Sequence, residues 1–562
     1  MADNNARQLL EEGDALFSKR ATFMSLLQEI AMQFYIERAD FTLQRTLGVT
    51  FAENLMTSYP LIARRELGNT LGAMLRPKEK EWNYVETTRQ DRVDNAGKQW
   101  LEYTTQVQRR AMYDRASMFV RATKEGDHDF AAFGQCAITT ELNRNRDTLL
   151  YRNWHLRDVA WSEDEAGKVS HIHHKWKMSA RNACKLFPKG LGAKIRETAD
   201  KTPYEEVELR RVVMPAEDYE PDKRRRFKWM SIVIDPSDDG GGIVEEINRR
   251  NQGWTIPRWQ TVSGSQYAYS PATVCALPDA RLLQAITLTL LEAGERFTNP
   301  PMIAVQEAIR SDVQVFAGGI TWVDAEYDER LGEVLRPLNQ DKSGYPVGRE
   351  VREDLKAALG EAFYLNKMQM PTMGDNPQMT AFEVGQRVQE YIRQALPIFE
   401  PMEQEYNGGL CDETFDLLLH NGAFGSVSDI PRSVLGQDIR FRFESPLTEM
   451  IDAQKGSKLV NAKQMLAAVA DVDPTSVYVV DWSKAFRDTL EGARTPMAWL
   501  HDPKLSAALA QQHAQAQAQA AQQQQLLGGM TQASEIAKNL GAAAPGLQQA
   551  RGAAGAEPSL SG

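Results

Sequence analysis

Cysteine is scarce in this chain of 562 residues. Its four cysteines, at positions 136, 184, 275 and 411, lie far apart and never form a Cys-x-x-Cys pair. Disulfide-stabilised domains and thiolate zinc sites need paired or closely spaced cysteines. The sequence therefore argues against both and is typical of a protein made in a reducing cytoplasm.

The chain also has no long hydrophobic run and no visible secretory signal. The richest apolar stretch, Leu282 to Leu291, is interrupted by Gln284 and two threonines. A helix needs about 20 apolar residues to cross a bilayer. The first residues lack a basic segment followed by an apolar one. We therefore expect no membrane partner.

Positive charge is in deficit. The chain has 65 Lys and Arg against 76 Asp and Glu, which gives a formal net charge of −11. A protein that wraps DNA tightly neutralises phosphates with lysine and arginine, so this balance argues against general DNA wrapping. Hydrophobic residues make up 42% of the chain, enough for a sizeable core, which excludes a mostly disordered protein.

Motifs for catalysis are missing as well. The sequence has no Gly-x-Ser-x-Gly and no glycine-rich phosphate loop ending in Lys-Ser or Lys-Thr. His171, His173 and His174 form the densest histidine cluster, but the lysines that follow disfavour a bound cation. We interpret these histidines as strand residues at a sheet surface. We expect neither an enzyme nor a metal or cofactor site.

The run from Lys223 to Lys228 is the strongest concentration of positive charge. Contact with nucleic acid or with an acidic neighbour is one explanation. A solvated hairpin end is the commoner one, and the sequence leaves both open.

The predicted secondary structure changes twice along the chain. Helical spacing dominates up to about residue 133, and strand-like runs separated by turn residues dominate from about 137 to 263. The five clearest runs are Thr148–Trp154, Val169–Met178, Glu206–Val213, Trp229–Ile234 and Ile243–Asn248.

Helices are predicted again from Pro278. Leu283, Ile286, Leu290 and Phe297 follow one face at helical spacing, while Leu282, Leu288 and Leu291 make other faces apolar. A helix that is apolar nearly all round must be covered on several sides. A second helix is predicted over residues 349–365, after short strand-like runs.

Residues 366–379 read as an irregular loop with two prolines and four methionines. Long loops without regular structure are often functional. The sequence Thr380-Ala381-Phe382-Glu383 then forms a capping box that predicts a helix start, with kinks at Pro397 and Pro401.

The last part of the chain is rich in alanine and glutamine. Its composition favours helix but has no apolar stripe for a core, so we predict a helix over residues 505–540 that needs neighbouring chains. Residues 541–562 are predicted to be a disordered tail.

Short motifs occur in a fixed order over about residues 10–500. They are Leu67–Pro77 with Trp82, Ala166–Val169, Tyr269–Ala272, Leu277–Asp279, Asn299–Pro301, Gly318–Ile320, Met379–Val384, Phe443–Leu447 and Val472–Pro474. Together they resemble the head-to-tail connecting (portal) proteins of short-tailed bacteriophages. Phe382 and Ala268 depart from the residues that are usual in that family, which affects loop geometry rather than fold.

The resemblance implies an α+β, mainly α subunit. Its parts would be a wing (1–277, β-rich at about 137–263), a first stem helix (278–297), a β-containing clip (298–348), a second stem helix (349–365), a tunnel loop (366–379), a long kinked helix with a returning strand (380–448), a crown (449–504) and a C-terminal helical barrel or crown extension (505–540).

The resemblance also implies a function. Such subunits form a non-enzymatic dodecameric ring at one capsid vertex of the virion, made in the host cytoplasm, through which double-stranded DNA is packaged and ejected. Implied partners are the terminase large subunit, which binds transiently, then the tail adaptor, together with major capsid and scaffolding proteins. The alternative is another ring-forming head–tail or tail-tube adaptor.

Two groups of site residues follow from the resemblance. Packing between stems of neighbouring subunits falls on Leu283, Ile286, Leu290 and Phe297. The channel-facing loop residues are Lys367, Met368, Gln369, Met370, Met373, Asp375 and Asn376. Only Lys367 and Asp375 carry charge, so we expect contact with DNA to be steric and apolar, which flexible methionines suit.

Overall fold

A computed structural model describes residues 2–43, 52, 55–219, 227–237, 242–304, 335–337, 344–365, 402–444, 462–466, 481–492 and 495–523. Within these ranges the chain is mainly helical with several antiparallel sheets, as the predicted α+β, mainly α class requires. The predicted tunnel loop, the helix predicted from Thr380, the predicted disordered tail and residues 223–226 of the basic run lie outside the described residues.

The main helices of the described ranges are, in chain order, α1 Ala2–Lys19, α2 Ala21–Phe34, α3 Tyr59–Leu75, α4 Asn95–Met112, α5 Phe119–Phe133, α6 Ala180–Leu186, α7 Ala193–Lys201, α8 Ala216–Tyr219, α9 Pro271–Thr298, α10 Gly344–Ala362, α11 Gly409–His420, α12 Trp482–Gly492 and α13, residues 503–523. Residues 462–466 form a further short helical segment.

The strands are, in the same order, β1 Asn83–Thr87, β2 Ala137–Leu142, β3 Leu149–Trp154, β4 Val159–Glu163, β5 Val169–Ser179, β6 Glu206–Pro215, β7 Trp229–Asp235, β8 Gly242–Arg249, β9 Trp254–Thr255, β10 Gln260–Thr261, β11 Ala268–Tyr269, β12 Met302–Ala304, β13 Leu335–Pro337 and β14 Ile439–Phe443. Each of the five runs predicted as strands falls on one of them.

Strands β4 to β8 form one antiparallel sheet in sequence order. Successive side chains of a strand point to opposite faces. On β7, Ile232 and Ile234 pack with Leu9 of α1, whereas Val233 packs with Phe187 and Ile195 beside α6 and α7. Helices therefore cover both faces, which explains why β7 reads as a nearly continuous apolar run.

A helical core lies beside this sheet. It contains the inner faces of α2, α3 and α5 together with strands β2 and β3, which pair with β9 in a three-stranded sheet. Trp82 is fully buried in this core and donates its indole N–H to Tyr113 Oη at 3.0 Å. Immediately after Trp82, β1 pairs antiparallel with the distant strand β14, so residues 439–443 return to the first part of the chain.

Helix α9 begins earlier than the sequence predicted. It starts at Pro271, not at Pro278, and Ser270 caps it by accepting a hydrogen bond from the Thr273 N–H. Proline is favoured in the first turn of a helix, which made Pro278 look like a start. Ser270-Pro271 gives the same signal one proline earlier, and Pro278 lies exposed inside the helix.

Helix α10 falls on the predicted second stem helix, but its bounds differ from residues 349–365. It includes residues from Gly344 and ends at Ala362. Tyr364 adopts a φ of 57°, a left-handed conformation that is incompatible with continued α-helix. Between α9 and α10, the short strands β12 and β13 pair with each other, so the two ends of the predicted clip meet.

The C-terminal elements differ in how they are held. The segment around α12 docks on α4, where Met497 N–H donates to Glu102 Oε2 at 3.1 Å and Asn95 Nδ2 donates to the Leu500 carbonyl at 3.1 Å. By contrast, α13 is exposed along its whole length. A helix without any buried side lacks the packing that stabilises most protein helices.

Candidate subunit-contact surface and buried charge cluster

Helices α9 and α10 pack side by side as a hairpin and lie against α2, α3 and α5. The two helices approach each other closely where Gly348 meets Leu290, because a Cβ added at Gly348 would lie 2.8 Å from Leu290 Cδ2. The missing side chain at residue 348 therefore leaves the space that the Leu290 side chain occupies.

Polar contacts of α9 hold the hairpin against the preceding part of the chain. The Gln284 side chain accepts hydrogen bonds from the Met56 and Thr57 N–H groups, at 2.7 and 3.0 Å, and donates to the Thr57 carbonyl at 3.1 Å. Arg281 pairs with Glu29 of α2. Helix α9 thus has a fixed orientation relative to the helices before it.

The four predicted intersubunit residues contact their own chain. Leu283 is fully buried and Leu290 nearly so, while Ile286 packs partly buried against the main core. The ring of Phe297 meets that of Tyr345 edge to face, with centroids 5.8 Å apart. Their predicted role between subunits stays a prediction, and within one subunit they already hold the hairpin together.

Other leucines of the same helix lie on the outside. Leu282, Leu288 and Leu291 are 51%, 41% and 57% exposed, and Val347 and Val351 of α10 are also exposed. Several exposed apolar side chains on one helical hairpin make its outside a candidate interaction surface. The all-round apolar pattern pointed to covering on several sides, but the sequence could not tell which leucines the chain itself covers.

By length and composition alone, α9 is apolar enough to cross a membrane. Its polar Gln284 is engaged with backbone groups, and its inner face packs in the core. Packing within the chain therefore accounts for the apolar residues of its inner face.

A buried charge cluster lies where α3 ends. The Arg76 guanidinium pairs with the Asp127 carboxylate of α5 and donates to Asn407 Oδ1 at 2.7 Å, and it stacks over the ring of Tyr406, 4.5 Å from the ring centre. Burial opposes the charge of Arg76, yet the neighbouring Asp127 raises its pKa, so it stays protonated. Each charge of the pair compensates the other, as buried charges require.

This cluster anchors a π-helical turn, Met402–Gly408, that leads into α11. Asn407 also donates to the Leu75 carbonyl at 3.2 Å, and Tyr406 donates to the Thr123 carbonyl at 3.3 Å. A pocket of about 510 Å³ opens beside the cluster, lined by residues of α3, α5 and the loop after α3. Arg76 and Asp127, which line this pocket, are paired with each other, so we assign the cluster a structural role.

The histidine cluster is buried more deeply than predicted. His173 and His174 are nearly inaccessible and only His171 is partly exposed, because α1 covers one face of β5 and aromatic side chains cover the other. Burial lowers the pKa of His174 to about 3, so it is neutral, and it packs against Trp154 and Trp254. The interpretation as surface histidines is wrong for these two.

No group of three or more His, Cys, Asp or Glu side chains in the described ranges is arranged to hold a metal ion. The seven predicted channel residues, from Lys367 to Asn376, all lie outside the described residues. Within the described ranges, the exposed apolar surface of the α9–α10 hairpin is the candidate functional site.

Comparison with known proteins identifies the family. Residues 6–499 match the profile of the family described as "Bacteriophage head to tail connecting protein". The chain belongs to this family. The match spans the sheet, the helical core, the hairpin and α12, so the family resemblance seen in the short motifs is confirmed.

Two relatives of this head-to-tail connecting protein cover most of their own length and of this chain. The chain is 26% identical over 568 residues to the "Probable portal protein" of Bordetella phage BPP-1, with 98% of each covered. It is 19% identical over 487 residues to the "Portal protein" of Salmonella phage epsilon15, with 84% of each covered.

Among solved structures, it is similar to a chain of "Virion of native gene transfer agent (GTA) particle", at 8% identity and a TM-score of 0.31, over 74% of this chain and 86% of that one. It is also similar to a chain of "Neck of empty GTA particle computed with C6 symmetry", at 9% identity and a TM-score of 0.31, over 72% and 86%. TM-scores this low do not establish a shared fold.

Proposed function

We propose that this chain is the subunit of a portal ring, which joins the phage head to the tail and surrounds the path of the DNA. The observation that carries the proposal is the family match over residues 6–499, together with a relative named as a probable portal protein that aligns over 98% of both chains. The proposed site of action is one capsid vertex of the virion, and the proposed role is structural rather than catalytic.

The exposed leucines of α9 support assembly into a ring. A ring is built from heterologous contacts, in which each subunit offers two different surfaces to its two neighbours. Leu282 and Leu288 are six positions apart, so at about 100° per residue they lie roughly 120° apart around the helix. Apolar side chains on two sides of one helix suit such contacts. We propose a ring of twelve subunits, the number that the family resemblance implies.

The charge of the chain fits a conduit. With a net charge of −11, the subunit has no surplus of positive charge with which to neutralise phosphates. DNA that must move through a channel benefits from a wall that does not hold it. We propose that residues 366–379 face this DNA, that α9 and α10 form the stem, and that residues between them form the clip.

The proposed partners follow from the position at the vertex. The clip region between α9 and α10 would receive the terminase large subunit during packaging and the tail adaptor afterwards. The sheet and helices of residues 1–277 would form the wing, beside the major capsid protein and, during assembly, the scaffolding protein. The elements from about residue 449 would form the crown, with α13 continuing it as a barrel or extension.

A pair of matched substitutions tests the assembly surface. Leu291 on α9 and Leu435, which lies outside the hairpin, are both 57% exposed. Leu291→Glu places a charge in the proposed contact and should give folded monomers that no longer form rings, because an unpaired charge is costly to bury. Leu435→Glu should leave assembly intact.

The readout is the mass distribution of the purified proteins by native mass spectrometry, with circular dichroism as the test of folding. If Leu291→Glu forms rings as well as Leu435→Glu does, the hairpin is not the contact surface. An ATPase assay on the same samples should show no turnover, and hydrolysis that co-purifies with the ring would contradict the structural role.

A further inference from the structure

Helix α1 is attached to one face of the five-stranded sheet. Ala6 and Leu9 are buried against Val212, Met214 and Ile232. This apolar contact involves few residues of a helix of 18 residues, and charged side chains of α1 also bind the sheet.

His171 on β5 lies at the centre of these charged contacts. Its Nδ1 is 2.8 Å from Glu12 Oε1 on α1, and its Nε2 is 2.9 Å from Asp218 Oδ2 on α8. An ionised carboxylate only accepts hydrogen bonds, and a neutral imidazole donates from only one of its nitrogens. Both bonds therefore form together only when His171 carries a proton on each nitrogen.

We propose that His171 is a proton-operated clamp for the N-terminal helix: the imidazolium bridges Glu12 of α1 and Asp218 of α8, and loss of one proton loosens α1 from the sheet. The inference concerns the attachment of α1 and does not depend on the portal function.

Other charged groups lie near the clamp. His173 Nε2 lies 3.6 Å from the same Glu12 oxygen, beyond hydrogen-bond distance. On β6, Arg210 reaches Asp14 of α1 at 3.2 Å, and on β4 Glu163 pairs with Arg258. Lys175 places its ammonium 4.1 Å from the centre of the Phe17 ring. Arg210 also pairs with Glu208 of its own strand, at 2.7 Å, so it bridges two carboxylates as His171 does. An arginine keeps its charge at every pH at which the protein is folded, whereas a histidine can lose its proton near neutral pH.

The protonation equilibria agree with the geometry. The hydrogen bond to Glu12 raises the pKa of His171 against the opposing effect of burial, and Asp218 raises it further. Burial would raise the pKa of Glu12, but the hydrogen bond from His171 and the nearby His173 lower it to about 2, so this carboxylate stays ionised. A raised folded pKa means that the clamp is complete below the ordinary histidine pKa of about 6.5 and is lost as pH rises through the folded value.

Opening of the clamp has a structural consequence. With α1 displaced, Val212, Met214 and Ile232 lose the helix that covers them. The proton on one side chain thus controls access to an apolar surface of the sheet, while the other face stays covered by α6 and α7.

Hydrogen exchange of the full-length protein, read by mass spectrometry on peptides from residues 2–19, tests the clamp. Exchange is measured from pH 5.5 to pH 9 and corrected for the intrinsic pH dependence of amide exchange. The wild type should lose protection of α1 at least several-fold across this range. His171→Gln should show low protection at all pH values, and His513→Gln, on the exposed helix α13, should behave as the wild type.

A milder variant decides the question if His171→Gln does not fold. Asp218 lies at the surface, so Asp218→Asn should leave the fold intact while removing one charged acceptor, which shifts the midpoint of the loss to lower pH. The proposal is overturned if the wild type shows no pH-dependent loss, if His171→Gln keeps the wild-type profile, or if Asp218→Asn leaves the midpoint unchanged.

Discussion

The helical core and the α9–α10 hairpin depart from the usual arrangement in opposite ways: the core buries charged side chains, and the hairpin exposes apolar ones. In the core, Arg76 and Asp127 are buried and paired with each other. On the hairpin, Leu282, Leu288 and Leu291 are exposed. Charged residues are rarely buried unless they are paired, and several exposed leucines on one hairpin make it a candidate interaction surface. The core is complete within one chain, whereas we propose that a neighbouring subunit completes the hairpin.

This contrast separates folding from assembly. Changes in the core should act on the stability of the subunit, and changes on the outer hairpin should act on the ring with little effect on the subunit. Some of the substitutions below compare a residue expected to affect subunit stability with one expected to affect ring assembly. The others test only one of these two properties.

The largest effect is expected in the buried charge cluster. Arg76→Met leaves Asp127 buried without its partner and should lower the free energy of unfolding by about 3–5 kcal/mol. The control is Arg121→Met, which removes an exposed pair with Glu125 and should cost less than about 0.5 kcal/mol. Urea unfolding of both proteins measures the difference, and equal losses would show that the buried pair does not hold the core.

Two adjacent leucines of α9 give the sharpest comparison. Leu283 is fully buried and Leu282 is half exposed. Leu283→Ala creates a cavity and should cost about 2–5 kcal/mol of subunit stability. Leu282→Ala should cost little stability but weaken the ring. Thermal unfolding and analytical ultracentrifugation, run on both variants, report the two quantities separately. Similar profiles for the pair would remove the distinction between inner and outer faces.

The sequence predicted some elements of the fold correctly and others incorrectly. Period-two and turn signals located β3 and β5 to β8, because each of these strands has its apolar pattern within a few residues. The predicted start of α9 was wrong because Pro271 and Pro278 carry the same local signal. The burial of His173 and His174 was missed because it depends on α1 and on tryptophans that are distant in the sequence.

The sites show the same limit. A helix with leucines on every face predicts partners on several sides, but only the packing of α10 shows that Leu290 is covered by its own chain. The pair of Arg76 with Asp127 and Asn407 had no sequence signal at all, since the three residues come from separate elements. The channel role of residues 366–379 stays a prediction.

A moderate effect is expected at Glu413, a nearly buried carboxyl on α11. Burial raises its pKa to about 8, so the folded state binds a proton that the unfolded state releases above about pH 4.5. The free energy of unfolding therefore falls as pH rises between these values. Glu413→Gln should remove this loss and stabilise the protein at pH 8 by on the order of 2 kcal/mol. Urea unfolding at pH 5 and pH 8 measures it, and an equal change at both values would contradict the assignment.

The smallest effect on stability is expected from shortening the predicted tunnel loop. Removal of residues 369–376 should leave ring assembly and the thermal midpoint nearly unchanged. Packaging, or retention of packaged DNA, should fail instead. Measurement of the DNA content of virions tests this, with the parental virions as control. Shortened virions that fill and hold DNA normally would show that the segment only connects two helices.

The central claim is that this head-to-tail connecting protein is completed by copies of itself around a channel. Electron microscopy of the purified full-length chain, viewed along the particle axis, tests it most directly. The account predicts closed rings with a central opening and α9 of each subunit in contact with its neighbours through the outer leucines. Purified protein that remains monomeric at micromolar concentration, or rings in which these leucines face solvent, would contradict it.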